Sequence, residues 1–340
     1  MCRMAVNATL VFTSMLMTCL AGEVMLRWAG IGYGHSPLEA SRRLHHVHPA
    51  SYSFVSYDPA GEFGGHMVSY DADGYRVDER QHPRTQPSGI GGHRRIAFLG
   101  DSFTEAITVS WQDSFIGRLE HANPDLITRN FGVSSYAPLQ YLIQMRQDVP
   151  AFRPTDLVLQ LYANDFDDDS AYLTRASSRD LDTVASIDGG DRDLVITVLR
   201  HSYLARLVRR GQLVLCHMIS YAQKDPARTL GRLPGNEELS LAIVSRIKRE
   251  TESLGARFYL FIVPDKILAQ HNACCAEDHW SAAVAAFADS EGISYVVLVH
   301  VFGKQRDQNR LFWQRAIHFS SEGNLIVARA IAEKLDLSLP

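Results

Sequence analysis

The sequence predicts an α/β protein: a three-layer α/β/α domain on a mostly parallel five-stranded sheet, preceded by an N-terminal transmembrane helix. Three observations carry this. After residue 95, short apolar runs alternate with longer segments of helical period, the texture of βαβ units. The composition is that of a folded chain, with 340 residues, 46% hydrophobic, 21% charged and a formal net charge of −4. Residues 4–22 carry no charged side chain; as a helix they would span about 29 Å, close to the hydrocarbon thickness of a bilayer.

Composition also excludes several classes. Disorder and collagen-like repetition are inconsistent with this apolar content and with only 23 Gly and 13 Pro, and an acidic excess does not suit a dedicated nucleic-acid binder. The five cysteines, with Cys274 and Cys275 adjacent, are no disulfide framework.

Three domains are expected. Residues 1–28 form the membrane segment, for which a signal anchor, a cleaved signal peptide and a buried core helix compete. The signal anchor is favoured, because a core helix would show a polar face and Cys19-Leu20-Ala21 is a weak cleavage site. Arg3 on one side faces Arg27, Arg42 and Arg43 on the other, so charge does not orient it. Beyond residue 28 the balance is acidic, which argues against an electrostatic grip on anionic lipid. Residues 29–92, rich in Gly, His, Ser and Tyr, read as an extracytoplasmic spacer ending in Gly89-Ile90-Gly91-Gly92.

Residues 93–340 read as the catalytic domain. Strands are expected at 96–99, 127–131, 156–162, 258–263 and 293–301. Helices are expected at 114–122, 138–149, 194–222, 237–254, 280–290 and 321–335. Arginines at 200, 206, 209 and 210 exclude a second membrane span at 194–222, whose apolar stripe reads as core or a lid. Strands joined through helices make a parallel sheet whose ligands sit beyond the strands' carboxyl ends.

Those ends carry the chemistry. The first strand runs into Gly100-Asp101-Ser102-Phe103-Thr104-Glu105, the second into Asn130-Phe131-Gly132-Val133-Ser134, and the third into Ala163-Asn164-Asp165; His318 precedes the last helix. A hydroxyl, a backbone amide, a side-chain amide and an imidazole are the parts for acyl transfer through a serine ester. The Gly-x-Ser-x-Gly elbow of α/β-hydrolases is disfavoured by Thr104.

These four blocks, in order over residues 96–335, resemble the SGNH hydrolase superfamily (GDSL esterases and lipases), whose fold is flavodoxin-like. The resemblance implies Ser102 as nucleophile and first oxyanion donor, Gly132 as second backbone donor, Asn164 as side-chain donor and His318 as base. Asp73-Gly74-Tyr75-Arg76 behind a membrane segment resembles a bacterial membrane-anchored subgroup, which implies a single-pass protein of the cytoplasmic membrane with its catalytic domain outside the cytoplasm. One position departs: the family's orienting Asp, three residues before the histidine, is Arg315 here. A guanidinium there would lower the histidine pKa. The sequence leaves three outcomes: a dyad oriented by a backbone carbonyl, an acid from elsewhere such as Asp307, or a weakened enzyme.

Taken singly, Ser102, Gly132, Asn164 and His318 each suit a cap or turn. Asp165, Asp167, Asp168 and Asp169 read as a solvated acidic loop, and His45, His46 and His48 as a polar linker. His271, Cys274, Cys275 and His279 have ligand types that suit zinc, but adjacent cysteines are awkward for a closed tetrahedral site. No metal or organic cofactor is expected. The expected partners are an acyl-ester substrate, a glycan or a small ester, and the membrane through residues 1–28, with no nucleic acid. The expected reaction is hydrolysis or transfer of an acyl ester, plausibly on an O-acylated cell-surface or secreted polysaccharide. A binding or assembly protein that has lost turnover is the alternative, motivated by Arg315.

Overall fold

The computed structural model describes residues 2–29, 33–34, 38–58, 61–80, 93–190, 194–221, 237–266, 269 and 279–339. The sheet that organises it contains β7 (Arg95–Leu99), β8 (Ile127–Asn130), β9 (Asp156–Leu161), β10 (Arg257–Ile262) and β11 (Ser294–Val297), in the order β11-β10-β9-β7-β8 with every pairing parallel.

Strand alternation divides the core. Ile96, Phe98, Val158 and Phe261 face one side, against α3 (Phe115–Ala122) and the helix Ser321–Leu335. Ala97, Leu99, Leu157, Leu159 and Leu260 face the other. There they meet α4 (Pro138–Gln147), α9 (Glu237–Ser253) and the helix His279–Ser290. Burial on both faces explains why these strands read as unbroken apolar runs. The short α2 (Ser102–Glu105) follows β7, α5 (Val149–Phe152) follows α4, and α6 (Asp165–Leu173) follows β9.

One helical reading and one strand need correction. The strand expected at 293–301 stops at Val297, and Leu298–Gly303 turns into a helix that buries Leu298, Val299 and Phe302. A fully buried apolar run has no period to separate the two forms. The region 194–222 is two helices, α7 (Leu194–His201) and α8 (Tyr203–Tyr221), broken at Ser202. Its stripe is not core, for Leu194, Val195, Val198, Val208 and Leu215 are exposed.

The region 29–92 is also more than a spacer. Its described residues form β1 (Tyr33–Gly34), β2 (Glu39–Ser41), β3 (His45–Val47), β4 (Ser53–Tyr57), β5 (Gly64–Tyr70) and β6 (Arg76–Val77). β2 pairs with β3, and the other four make a sheet in the order β1-β4-β5-β6. Phe54, Val68 and Tyr70 form its small core. Strands this short leave little periodic signal, which is why composition suggested a linker.

Upstream lies α1 (Cys2–Trp28). Among the described residues it is the one helix long and apolar enough to cross a membrane, over Thr9–Trp28, and none of that span is buried within the fold. His271, Cys274, Cys275 and the side chain of His279, weighed above for zinc, lie outside what is described.

Candidate active site

The nucleophile turn begins where β7 ends. Gly100 lets the chain close tightly, since a Cβ there would sit 2.0 Å from Thr104 Oγ1. Asp101 Oδ1 accepts the Phe103 N–H at 2.8 Å and caps α2. Ser102 thus becomes the first residue of α2, and among the described residues its N–H donates to no acceptor.

Ser102 Oγ and His318 Nε2 are 2.8 Å apart. The loop that carries His318 is fixed through its backbone. Lys266 Nζ donates to the carbonyls of Trp313 (2.8 Å), Gln314 (2.6 Å) and Ala316 (3.2 Å). Glu62 accepts the N–H groups of Arg315 (2.7 Å) and Ala316 (3.1 Å). Phe103 packs on the imidazole with ring centroids 5.1 Å apart. Burial pushes His318 down to about 4, and the Glu105 carboxylate offsets this in part.

Neither orienting group that the sequence suggested, a backbone carbonyl or Asp307, is found in that role among the described residues. Among the described residues, neither a carboxylate nor a carbonyl hydrogen-bonds His318 Nδ1. Asp307 instead caps a single turn by accepting the Asn309 N–H at 3.1 Å. Arg315 is exposed, so burial rather than its guanidinium depresses His318. The result is a dyad.

Beneath it sits Glu105, fully buried at the end of α2. Its Oε1 accepts the Tyr70 hydroxyl at 2.6 Å and meets His48 Nε2 at 3.0 Å; its Oε2 accepts the Ser134 N–H at 2.9 Å and the Ser134 hydroxyl. Burial alone would push this carboxyl up, but His48 and the two hydroxyls outweigh it and hold Glu105 at about 2. Buried Arg76 donates to the carbonyls of Glu105 (2.8 Å), Ala106 and Val109 (2.8 Å). The polar linker is therefore corrected: His46 and His48 are buried, and His46 Nε2 lies 2.8 Å from the Ser134 carbonyl.

The second block also needs revision. Gly132 N–H donates to Asn130 Oδ1 at 2.8 Å, and a Cβ on Gly132 would lie 2.6 Å from Glu105 N. This glycine is needed for close packing against α2, and its N–H is already spent. Three residues on, Ser135 adopts a left-handed backbone (φ 63°). Its carbonyl accepts the Tyr172 hydroxyl at 2.7 Å, while its N–H has no acceptor among the described residues. The signal missed in the sequence was conformational, because a serine there advertises no special backbone.

Asn164 opens α6 from an exposed position, with Nδ2 donating to Asp168 Oδ2 at 3.0 Å. One N–H of that amide is left over. The acidic run is helical rather than a solvated loop. Asp165 and Asp169, one turn apart, are buried; Asp169 accepts the Leu139 N–H at 2.8 Å and the Ser240 hydroxyl. Burial pushes Asp101 and Asp169 up to about 7 and also pushes Asp165 well above the ordinary carboxylate range.

Ser102 and His318 thus form a serine–histidine pair at the carboxyl edge of the parallel five-stranded sheet. The chain is similar to several solved structures. A catalytic mutant of the acetylxylan esterase Axe2 from Geobacillus stearothermophilus has 17% identity and a TM-score of 0.43, covering 73% of this chain and 97% of that one. A GDSL-like lipase from Bacteroides thetaiotaomicron has 16% identity and a TM-score of 0.40, covering 72% and 88%. TesA has 12% identity and a TM-score of 0.43, covering 71% and 98%. No family model matches the sequence, and no curated protein does.

Proposed function

We propose that this chain is a serine-dependent ester hydrolase. Ser102 Oγ attacks the ester carbonyl carbon while His318 Nε2 takes its proton and passes it to the leaving alcohol. The acyl group is then released to water, or to a second alcohol in a transferase. The N–H groups of Ser102 and Ser135 and the side-chain amide of Asn164 hold the oxyanion. The observation that carries this reading is the 2.8 Å contact between Ser102 Oγ and His318 Nε2, within the reach that general-base activation requires.

The same proposal takes α1 as a membrane anchor and places the catalytic domain outside the cytoplasm of a bacterial cell. An O-acylated cell-surface or secreted polysaccharide is then the substrate within reach. The sequence resemblance to a bacterial membrane-anchored subgroup supports that placement, as does the exposed apolar span of α1.

That no described residue bonds His318 Nδ1 favours one second reading, a binding protein without turnover. A fluorophosphonate probe separates the two. Covalent labelling of the native chain, lost in Ser102→Ala, and acetate release from an O-acetylated glycan are the results expected. Folded protein that neither labels nor releases acetate would establish the binding reading.

A further inference from the structure

Residues 194–221 carry four arginines, Arg200, Arg206, Arg209 and Arg210, with His201 and His217 and no acidic residue, in a chain of net charge −4. They also hold apolar side chains out of the fold. On α7, Leu194 (76% exposed), Val195 and Val198 fall within one turn of one another. On α8, Val208 and Leu215 are two turns apart and so share a stripe. Basic residues alternating with an apolar stripe and no acids are the composition of a helix that lies at a membrane surface.

The position of the pair agrees with its composition, for α8 starts on the last turns of α1. Glu23 accepts the Ser202 hydroxyl (2.9 Å) and the N–H groups of Tyr203 (3.0 Å) and Leu204 (2.8 Å), capping α8 from a different helix. Arg27 lies 5.1 Å from the centroid of the Tyr203 ring. Gly22 leaves room for Leu204, whose Cδ1 is 3.9 Å from where a Cβ would stand. On the other side, Arg206 donates to the Leu199 carbonyl and to the Tyr52 hydroxyl, both at 2.6 Å, joining the pair to the small sheet. The helices are thus held at the last turns of α1, where it would leave a bilayer.

We infer that α7 and α8 lie in the headgroup layer of an anionic membrane, with Leu194, Val195, Val198, Val208 and Leu215 in contact with lipid. This rests on α1 being a membrane span. The overall acidic balance had argued against a grip on anionic lipid, but the local charge of this segment is basic throughout. A bilayer is the occupant favoured over a protein because the start of α8 is fixed to the last turns of α1 and the segment is basic without acids, a charge that suits anionic headgroups.

The test uses the full chain in nanodiscs containing anionic lipid, with the photocrosslinker p-benzoylphenylalanine at Phe12, Val198, Leu215 or Leu254, each exposed in the structure. Lipid adducts at positions 12, 198 and 215, with none at 254 on the far end of α9, are expected. Adducts at 12 without adducts at 198 and 215 would overturn this inference and leave the anchor standing. No lipid adduct at 12 would overturn the anchor itself. Adducts at 198 or 215 to a second protein chain instead of lipid would make the surface a protein interface and overturn the inference as well.

Discussion

The imidazole of His46 meets the carbonyl oxygen of Ser134 at 2.8 Å, and the other end of that same peptide unit is the Ser135 N–H, which has no acceptor among the described residues. Burial pushes His46 down to about 4, so at neutral pH the ring is uncharged and can hold its proton on Nε2 to donate to the carbonyl. Donation to one end of a peptide polarises the other and fixes its direction, and oxyanion stabilisation depends on donors that do not have to reorganise. Under the proposed function, with the Ser135 N–H as an oxyanion donor, His46 is a positioning residue. His46→Ala should lower kcat by about tenfold to a hundredfold, short of the ~10²–10³ lost with a whole donor, and leave KM nearly unchanged. Partial recovery in His46→Gln, which restores an N–H donor, would separate positioning from general destabilisation.

The pH dependence of kcat/KM follows from His318. A general base works only when unprotonated, so activity is retained until the pH falls through its folded value. That value is about 4, below the ordinary 6.5. The acid limb of the profile should therefore lie well below that of an unperturbed histidine. Because Arg315 is exposed and burial sets the shift, Arg315→Ala should leave the limb where it is.

Glu105 ties the pH dependence of stability to the same site. Its folded value, about 2, lies below the ordinary 4.5, so the stabilisation is fully present above the unfolded value and is lost as pH falls toward the folded one. Replacing the carboxylate by Glu105→Gln leaves His48, Tyr70 and Ser134 around a neutral amide. A loss of about 3–5 kcal/mol is expected by denaturant unfolding at pH 7, the usual cost of removing one partner of a buried charged cluster. The loss should shrink between pH 4.5 and pH 2, where the native carboxylate itself titrates.

Two small residues on one loop should respond in opposite ways. Gly132→Ala puts a Cβ against the Glu105 backbone at 2.6 Å, and thermal unfolding should show it destabilised by more than about 2 kcal/mol, in the range of overpacking. Ser135→Gly relieves a left-handed backbone at φ 63°, so it should keep activity and gain up to about 1 kcal/mol.

Much of the parallel sheet was readable, because a strand buried on both faces writes itself as an apolar run. The pairing of Ser102 with His318 was readable for a different reason: both belong to short blocks whose order is itself a signal. What could not be read shares one property, that its meaning depends on distant neighbours. Arg76 looks like a surface residue until three carbonyls of another segment surround it, and His46 and His48 look like linker until Ser134 and Glu105 come to meet them. The hydrogen bond that occupies the Gly132 N–H and the left-handed backbone of Ser135 were not legible because a sequence shows residue type, whereas donor availability depends on torsion angles and on which acceptors lie nearby.

The contacts of Arg76 with the carbonyls of Glu105, Ala106 and Val109 bear on any shortened form of this chain. The residues between α1 and β7 supply Arg76, His48, Tyr70 and Glu62 to the nucleophile turn and the histidine loop. Under the proposed function, a cut between α1 and residue 38 would release a fragment that keeps Ser102, His318 and these braces together. A fragment beginning at residue 93 would carry Ser102 and His318 yet lack the braces around them, so activity without α1 depends on where the chain is severed.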